Sequence, residues 1–420
     1  MELLAWPRSL LSKYVAAVIK DEPRGYVYTS SVTIRFGIAI MEIRKNEYLV
    51  VRYPLLMLFS ITTILWILID HILAFSDARW FSKILDYNYS GGSLLFTYTL
   101  KVKRAEISVF TQVVDQWWSY SFLDQKQEEL KERLQRKLKK FNNFYNRFMV
   151  TMGIGFGMMP LGRYFYETEK SSTNLLLERC WSPFPLDTWW GFSITYWVEL
   201  TSMLSLFYSW AYIVCFLISV METIGKQLQL IGISLVTVEE RVKKAMSLFK
   251  VKDKEEWYEL YVRMMQKELK NSVKHYQKMY RLSEEACSVF STPINVCFHS
   301  GIIALVASCV KLATERENKF VIFQAIVMVV NVLVNQFIVS CINQILTDQL
   351  DNLRDTIYES SWYKLPIPCR KTIHMTQVML LRPPSIRTVM GTKTDMEFFA
   401  TVVNTSYFYL GALLSMNVKL

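Results

Sequence analysis

The sequence predicts an all-α, polytopic membrane protein with seven transmembrane helices, a cytoplasmic N-terminus and helices that continue below the bilayer. Three observations carry this. Of the 420 residues, 52% are hydrophobic and 14% aromatic, and mean hydropathy is +0.17, which is too apolar for an ordinary soluble enzyme. Apolar runs of bilayer length recur along the chain, and about 20 helical residues cross a hydrocarbon core of ~30 Å. The connections between those runs alternate between rich and poor in Lys and Arg.

Taken in order, Leu3 to Ile19 collects Leu4, Leu11, Val15 and Val18 toward one side without an uninterrupted apolar core or a cleavage site, so an in-plane amphipathic helix fits better than a signal peptide. Span one is Tyr53 to Phe75, with Asp70 and His71 confined to its end. Span two, about Ile84 to Leu100, is diluted by Gly91, Gly92 and several Tyr. Span three, about Phe144 to Phe165, contains Gly153 to Pro160, GIGFGMMP. With no Lys-Ser/Thr following, this is no phosphate loop, and the four-residue spacing of Gly153 and Gly157 predicts close helix packing or a kink. Spans four, five, six and seven cover about Tyr196 to Met221, Ser288 to Val310, Phe320 to Leu346 and Met396 to Met416. The chain thus divides into a cytoplasmic or in-plane segment (1–52), spans one to six with their extensions (53–346), a cytoplasmic segment (347–395), and span seven with a short external tail (396–420).

Charge sets the orientation. Residues 1–52, 101–143, 224–287 and 346–395 carry 38 of the 48 Lys and Arg, so these segments and the N-terminus are placed inside. That topology is opposite to a G-protein-coupled receptor. The sequon at Asn88 falls outside, whereas Asn404-Thr405-Ser406 lies within a span. The seven Cys form no CxxC pair; Cys180 and Cys309 fall toward the outside, leaving one disulfide open.

The cytoplasmic segments have helical periodicity. Leu130, Leu134, Leu138 and Phe141 share a face, and Glu129 with Arg133 and Glu132 with Arg136 stand four apart. Trp257, Tyr261, Met264, Tyr276 and Tyr280 recur similarly among Lys and Glu. The +11 charge is broken up by acids and apolar spans, which argues against nucleic acid. Four scattered His, no HExxH, no phosphate loop and no GxSxG elbow argue against catalysis, and no cofactor is expected. His299 reads as a helix-packing residue.

Span seven is polar along one side: Thr401, Thr405, Phe408, Ala412 and Ser415 fall on one helical face, widened by Asn404 and Met416. Lipid has no use for such a stripe, so it faces either another helix or a column of water. Upstream, Tyr358, Glu359, Ser360, Trp362 and Tyr363, then Pro384, then Ser406-Tyr407, resemble the C-terminal signature of insect odorant receptors; PFPLD (Pro183 to Asp187) is a weaker echo. The chain ends its signature in SYFY where SYS is usual, and has LLRP before Pro384.

The resemblance implies an odorant-gated cation-channel subunit, a heterotetramer with a shared coreceptor, and a cytoplasmic anchor domain where subunits meet. The connection between spans four and five is short for the coreceptor, so this would be the odour-tuning subunit, in the plasma membrane of olfactory neurons. It further implies a pore lined by span seven, with Thr401, Thr405 and Phe408 leading to a gate at Ala412, Leu413, Ser415 and Met416. Asp348, Asp351, Asp355 and Asp395, near the inner ends of spans six and seven, read by their charge either as solvated surface acids, the commoner case, or as a means of enriching cations there. A small volatile would lie among outer helix halves that carry Tyr87, Phe96, Phe156, Met159, Tyr164, Tyr196, Met203 and Phe323, with Glu199 and Gln324 as polar groups. A seven-helix receptor acting through a second messenger lacks its charged tripeptide after span three and its NPxxY-like end, and a transporter should show an internal repeat.

Overall fold

The computed structural model describes residues 116–159, 181–249, 253–314, 319–381, 384–388 and 391–415, with scattered positions between Leu58 and Ile72 and at Gly162, Tyr164 and Leu176. The N-terminal amphipathic segment, span two, Asp70, His71, Cys180 and the Asn88 sequon lie outside the described residues. In order, the helices are α1 (Asp124–Gly157), α2 (Trp189–Val236), α3 (Val238–Met246), α4 (Lys254–Thr314), α5 (Lys319–Glu359), α6 (Ile367–Met379) and α7 (Met396–Ser415), with a 3-10 turn at Trp362–Lys364. Among the described residues the only β pairing is an isolated bridge between Arg387 and Lys393.

The lengths alone require helices that leave the membrane. At 1.5 Å per residue, α2, α4 and α5 run roughly 72, 92 and 62 Å, against ~30 Å of hydrocarbon. Spans four, five and six are segments of these continuous rods, and α4 carries Pro293 inside it. Within span three, α1 runs to Gly157, which Met158 caps, and Met159, Gly162 and Tyr164 are again helical; its predicted end at Phe165 lies outside the described residues.

Helix α2 is the central element, packed on α1, α4 and α5. The buried stripe of α1, Leu130, Leu134, Leu138, Asn142, Tyr145, Met149, Gly153 and Phe156, repeats at three and four residues and drives that helix onto the core. The predicted Glu129–Arg133 and Glu132–Arg136 pairs form on its outer side at 2.6 and 3.9 Å. One continuous core runs from Leu134 through Phe216, Tyr276 and Phe290 to Ile386.

Three stretches among the described residues are long and apolar enough to cross a membrane: Ile213–Val236, Lys254–Val310 and Ala325–Glu359. The first is 89% buried within the protein, so its apolar character serves the protein core. What faces outward is a second set: Phe144, Val150, Ile154 and Met158 on α1, Trp189, Trp190, Ile194 and Trp197 on α2, Ile303 and Val306 on α4, and Phe323, Ile326, Val330 and Phe337 on α5. So large an exposed apolar surface belongs in lipid. The three Trp at the start of α2 suit the membrane interface.

Candidate ligand pocket and pore helix

The outer crossing of α1 and α2 is built on close approach. A Cβ on Gly153 would lie 3.2 Å from Leu204 Cδ2, and one on Gly157 3.2 Å from Leu200 Cδ1, so glycine lets the two backbones meet. Beside it Phe156 and Met159 are buried, Phe156 against Phe207 at 5.4 Å between ring centres. The Tyr196 hydroxyl donates to the Gly157 carbonyl at 2.6 Å, tying the helices across the glycine step. Its ring stacks on Phe192 at 6.2 Å. Glu199 is buried at 1% exposure and is not free. Met203 is half-buried against the core. Nearby, Trp66 meets Phe184 edge-to-face at 6.2 Å and packs on Val198, bringing span one and the PFPLD segment to α2.

The structure therefore brings Phe156, Met159, Tyr196, Glu199 and Met203 onto the α1–α2 pair. Tyr164 and Phe323 are exposed, at 45% and 62%. Tyr87, Phe96 and the Gln324 side chain lie outside what is described. Trp66, Phe184 and Phe207 are neighbours of this region that spacing did not single out.

Helix α7 leans on α4 and α5 and leaves its polar stripe uncovered. Phe398 packs on Phe298 in a tilted pair at 5.2 Å, and Phe399 meets Phe337 at 5.6 Å. Val402 joins the small cluster of Ala304, Leu305 and Val332. Thr401, Asn404, Thr405, Phe408 and Ser415 are exposed in the single subunit, and Ala412 is half-exposed. Thr401 and Thr405 also border a groove beside α4; the rest of the stripe meets no other helix among the described residues. Thr401 and Ser415 turn their hydroxyls back to the carbonyls of Glu397 and Ala412 at 3.0 and 2.7 Å. The Asn404 amide has no hydrogen-bond partner among the described residues. The side chain of Leu413, and Met416, lie outside what is described. Between α4 and α7 runs a half-open groove of about 280 Å³, lined by residues including Val306, Cys309, Val402 and Thr405; Cys309 is a free, buried thiol.

The inner acids are engaged locally. Asp395 accepts the Phe398 N–H at 3.0 Å and so caps α7. Asp351 and Asp355 share Arg354 at 3.0 and 3.5 Å, and Asp348 accepts from Gln344 at 2.7 Å. His299 Nδ1 lies 2.7 Å from the Asn295 carbonyl of its own helix.

Inside, polar groups that spacing missed join the helices. Asn335 Oδ1 accepts from Tyr145 of α1 at 2.5 Å and from Trp210 of α2 at 2.6 Å. Below, the Trp117–Tyr120 segment wedges against α4: Trp118 stacks on His275 at 5.1 Å, and the Tyr120 hydroxyl meets His275 Nδ1 at 2.9 Å. Burial pushes the Tyr120 phenol up to about 12, against the opposing pull of Ser234, Ser272 and Arg241. Arg241, 5% exposed, pairs with Glu268 at 2.6 Å. Four polar residues at 331, 335, 336 and 343 of one apolar helix were the signal for the first network; the second had only the Trp-Trp-Ser-Tyr run.

The face of α6 opposite its buried Cys369, Ile373 and Thr376 is also apolar: Ile367, Met375 and Val378 are exposed at 77%, 58% and 54%. Lys371 and His374 lie among them.

No curated protein matches the chain in sequence. In three dimensions it is similar to the insect olfactory receptor OR5 from Machilis hrabei, with a TM-score of 0.73 at 16% identity over 91% of this chain and 97% of that one. The same receptor in complex with eugenol gives 0.74 at 16% identity over 93% and 99%. That likeness shows a shared fold. The sequence pattern of the 7tm Odorant receptor family matches residues 94–407, most of the chain, and the chain belongs to that family.

Proposed function

We propose that this receptor is an odorant-gated cation-channel subunit whose α7 helices, contributed by several subunits, surround one pore. The observation that supports it is the polar stripe of α7, exposed in a single subunit, with the Asn404 amide at its middle. A Thr or Ser hydroxyl can satisfy itself on its own helix, but a carboxamide has donors and acceptors that the i−4 carbonyl cannot exhaust. In lipid those groups would be unpaired at a cost of several kcal/mol. Water in a pore removes that cost. Thr401, Thr405 and Phe408 then lead outward to a constriction at Ala412, Leu413, Ser415 and Met416, which closes by dewetting.

The exposed apolar face of α6 supports assembly, since Ile367, Met375 and Val378 need cover that their own chain does not supply. Residues 347–395 are thus read as the anchor segment, joined to coreceptor subunits in a heterotetramer at the plasma membrane, with the N-terminus inside. The ligand is a small, largely apolar volatile. It is held between outer helix halves by Phe156, Met159, Tyr196 and Met203, with Tyr87, Phe96, Tyr164 and Phe323 around them and Glu199 and Gln324 as polar groups. OR5, of the same fold, has been solved with eugenol, a molecule of that character. The test is whole-cell recording of this chain with and without the coreceptor during an odorant screen. Odorant-evoked cation current that requires both chains supports the reading; a response that persists only through G-protein signalling overturns it.

A further inference from the structure

The passage from α6 to α7 is a tight hairpin held from two sides. Thr388 N–H donates to the Thr392 carbonyl at 2.8 Å and Thr394 N–H to the Ile386 carbonyl at 3.2 Å, closing the Arg387–Lys393 bridge. Gly391 near its tip takes φ of 83°, a conformation that glycine adopts at little cost. From α5, Asn343 pairs with the backbone of Ile386 as a neighbouring strand would: Oδ1 accepts the Ile386 N–H at 3.1 Å, and Nδ2 donates to the Ile386 carbonyl at 3.1 Å. The same Nδ2 lies 3.4 Å from Thr394 Oγ1. From α4, Asn295 Nδ2 donates to the Arg387 carbonyl at 2.9 Å. Asn343, Asn295 and Thr394 are all buried, where each bond is stronger than in water and its loss leaves an unpaired group.

Beyond that foot and the weak Cys341–Met396 sulfur contact at 3.7 Å, the contacts of α7 among the described residues are apolar, and it runs along unfilled space. The two ring pairs at Phe398 and Phe399 lie in its first turn. Outward of them lies the groove of about 280 Å³ between Val306 of α4 and Val402 and Thr405 of α7, while Tyr407, Phe408 and Tyr409 are exposed. A helix bonded at one end and loosely packed along its length moves by pivoting at the bonded end.

We infer that Asn343 and Asn295 are positioning residues that set the pivot of the pore helix, and that α7 swings about this clamp, into and out of the groove beside α4, when the channel opens. The inference rests on the channel reading above. The clamp confines α7 to one arrangement; without it, the helix samples others and the closed-to-open ratio falls.

The test is the ratio of odorant-free to maximal odorant-evoked current, recorded with the coreceptor and accompanied by surface labelling. Asn343→Leu and Asn295→Leu should each raise that ratio about tenfold, the equivalent of about 1.4 kcal/mol. Folding or trafficking loss scales both currents together and leaves the ratio unmoved, so an unchanged or lowered ratio in both variants overturns the clamp. Thr394→Val, which removes the 3.4 Å Asn343 contact and the 3.2 Å bond of the Thr394 hydroxyl to the Ile386 carbonyl, carries the same test should Asn343→Leu fail to reach the surface. Val306→Trp fills the groove from a half-exposed position and should cut maximal current per surface receptor about fivefold; an undiminished current overturns the swing. A wild-type complex that conducts no odorant current would instead reject the channel reading itself.

Discussion

Tyr196 and Arg241 show how single side chains act here through what they satisfy. The Tyr196 hydroxyl is a polar tie across the glycine step of α1 and α2 that also borders the proposed ligand site. Tyr196→Phe keeps the ring and should cost about 1 kcal/mol of thermal stability while shifting odorant potency. Met159→Ala should shift odorant rank order, since ~1 to 3 kcal/mol rides on a well-filled apolar contact. Dose–response curves normalised to surface protein check both; equal loss to every agonist, including one acting on the partner subunit, would point to folding and not to the pocket. Arg241 is a different case, because Glu268 stands 2.6 Å away with a largely buried carboxylate. Arg241→Met should destabilise by about 3 to 5 kcal/mol, and adding Glu268→Leu should restore most of it. Detergent-solubilised melting curves of the two variants measure the difference.

At the scale of elements, amphipathic helices were legible where their two faces differ and illegible where both are apolar. The Leu130, Leu134, Leu138 stripe and the Glu129–Arg133 pair could be read directly, because a helix with one buried and one solvated face writes its period into the sequence. Helix α6 could not be read so: opposite buried Cys369 and Ile373 stand exposed Ile367, Met375 and Val378, mixed with Arg370, Lys371 and His374, so apolar residues occur on both faces and blur the period. In the proposed assembly, its second apolar face is where a partner subunit would dock. Met375→Glu with Val378→Glu should therefore abolish co-purification with the coreceptor while leaving the subunit's own melting temperature within a few degrees, as surface substitutions do. Retained assembly would place the interface elsewhere. Asn335 and Asn343 were missed for a related reason: single amides in an apolar run look like dilution of the pattern, although each must find a partner.

For the whole molecule, the fold class was legible, and the inner limits of the described spans were not. Ile213–Val236 is apolar enough for lipid and yet 89% buried in protein, so hydropathy alone cannot separate a membrane segment from the core of a cytoplasmic extension. Positive charge decides what hydropathy cannot. A tag at the N-terminus and one near Lys254 should be reached by antibody only after permeabilisation, and a C-terminal tag on intact cells; labelling of the N-terminal tag on intact cells would invert the topology. The ligand site was legible only as a list of outer aromatic and Met positions. Which of them meet depends on the Gly153–Leu204 and Gly157–Leu200 approach, a property of three-dimensional packing.

The central claim, that the exposed stripe of α7 faces water in an assembled pore, is tested most directly by placing Cys singly along that helix and applying a charged thiol reagent during odorant exposure. Modification that alters the current at Thr401, Asn404, Thr405 and Phe408, and spares Val402, Val403 and Leu410 on the half-buried side, is the result expected. Uniform indifference along α7, or reaction confined to the half-buried side, would contradict it and remove this helix from the pore.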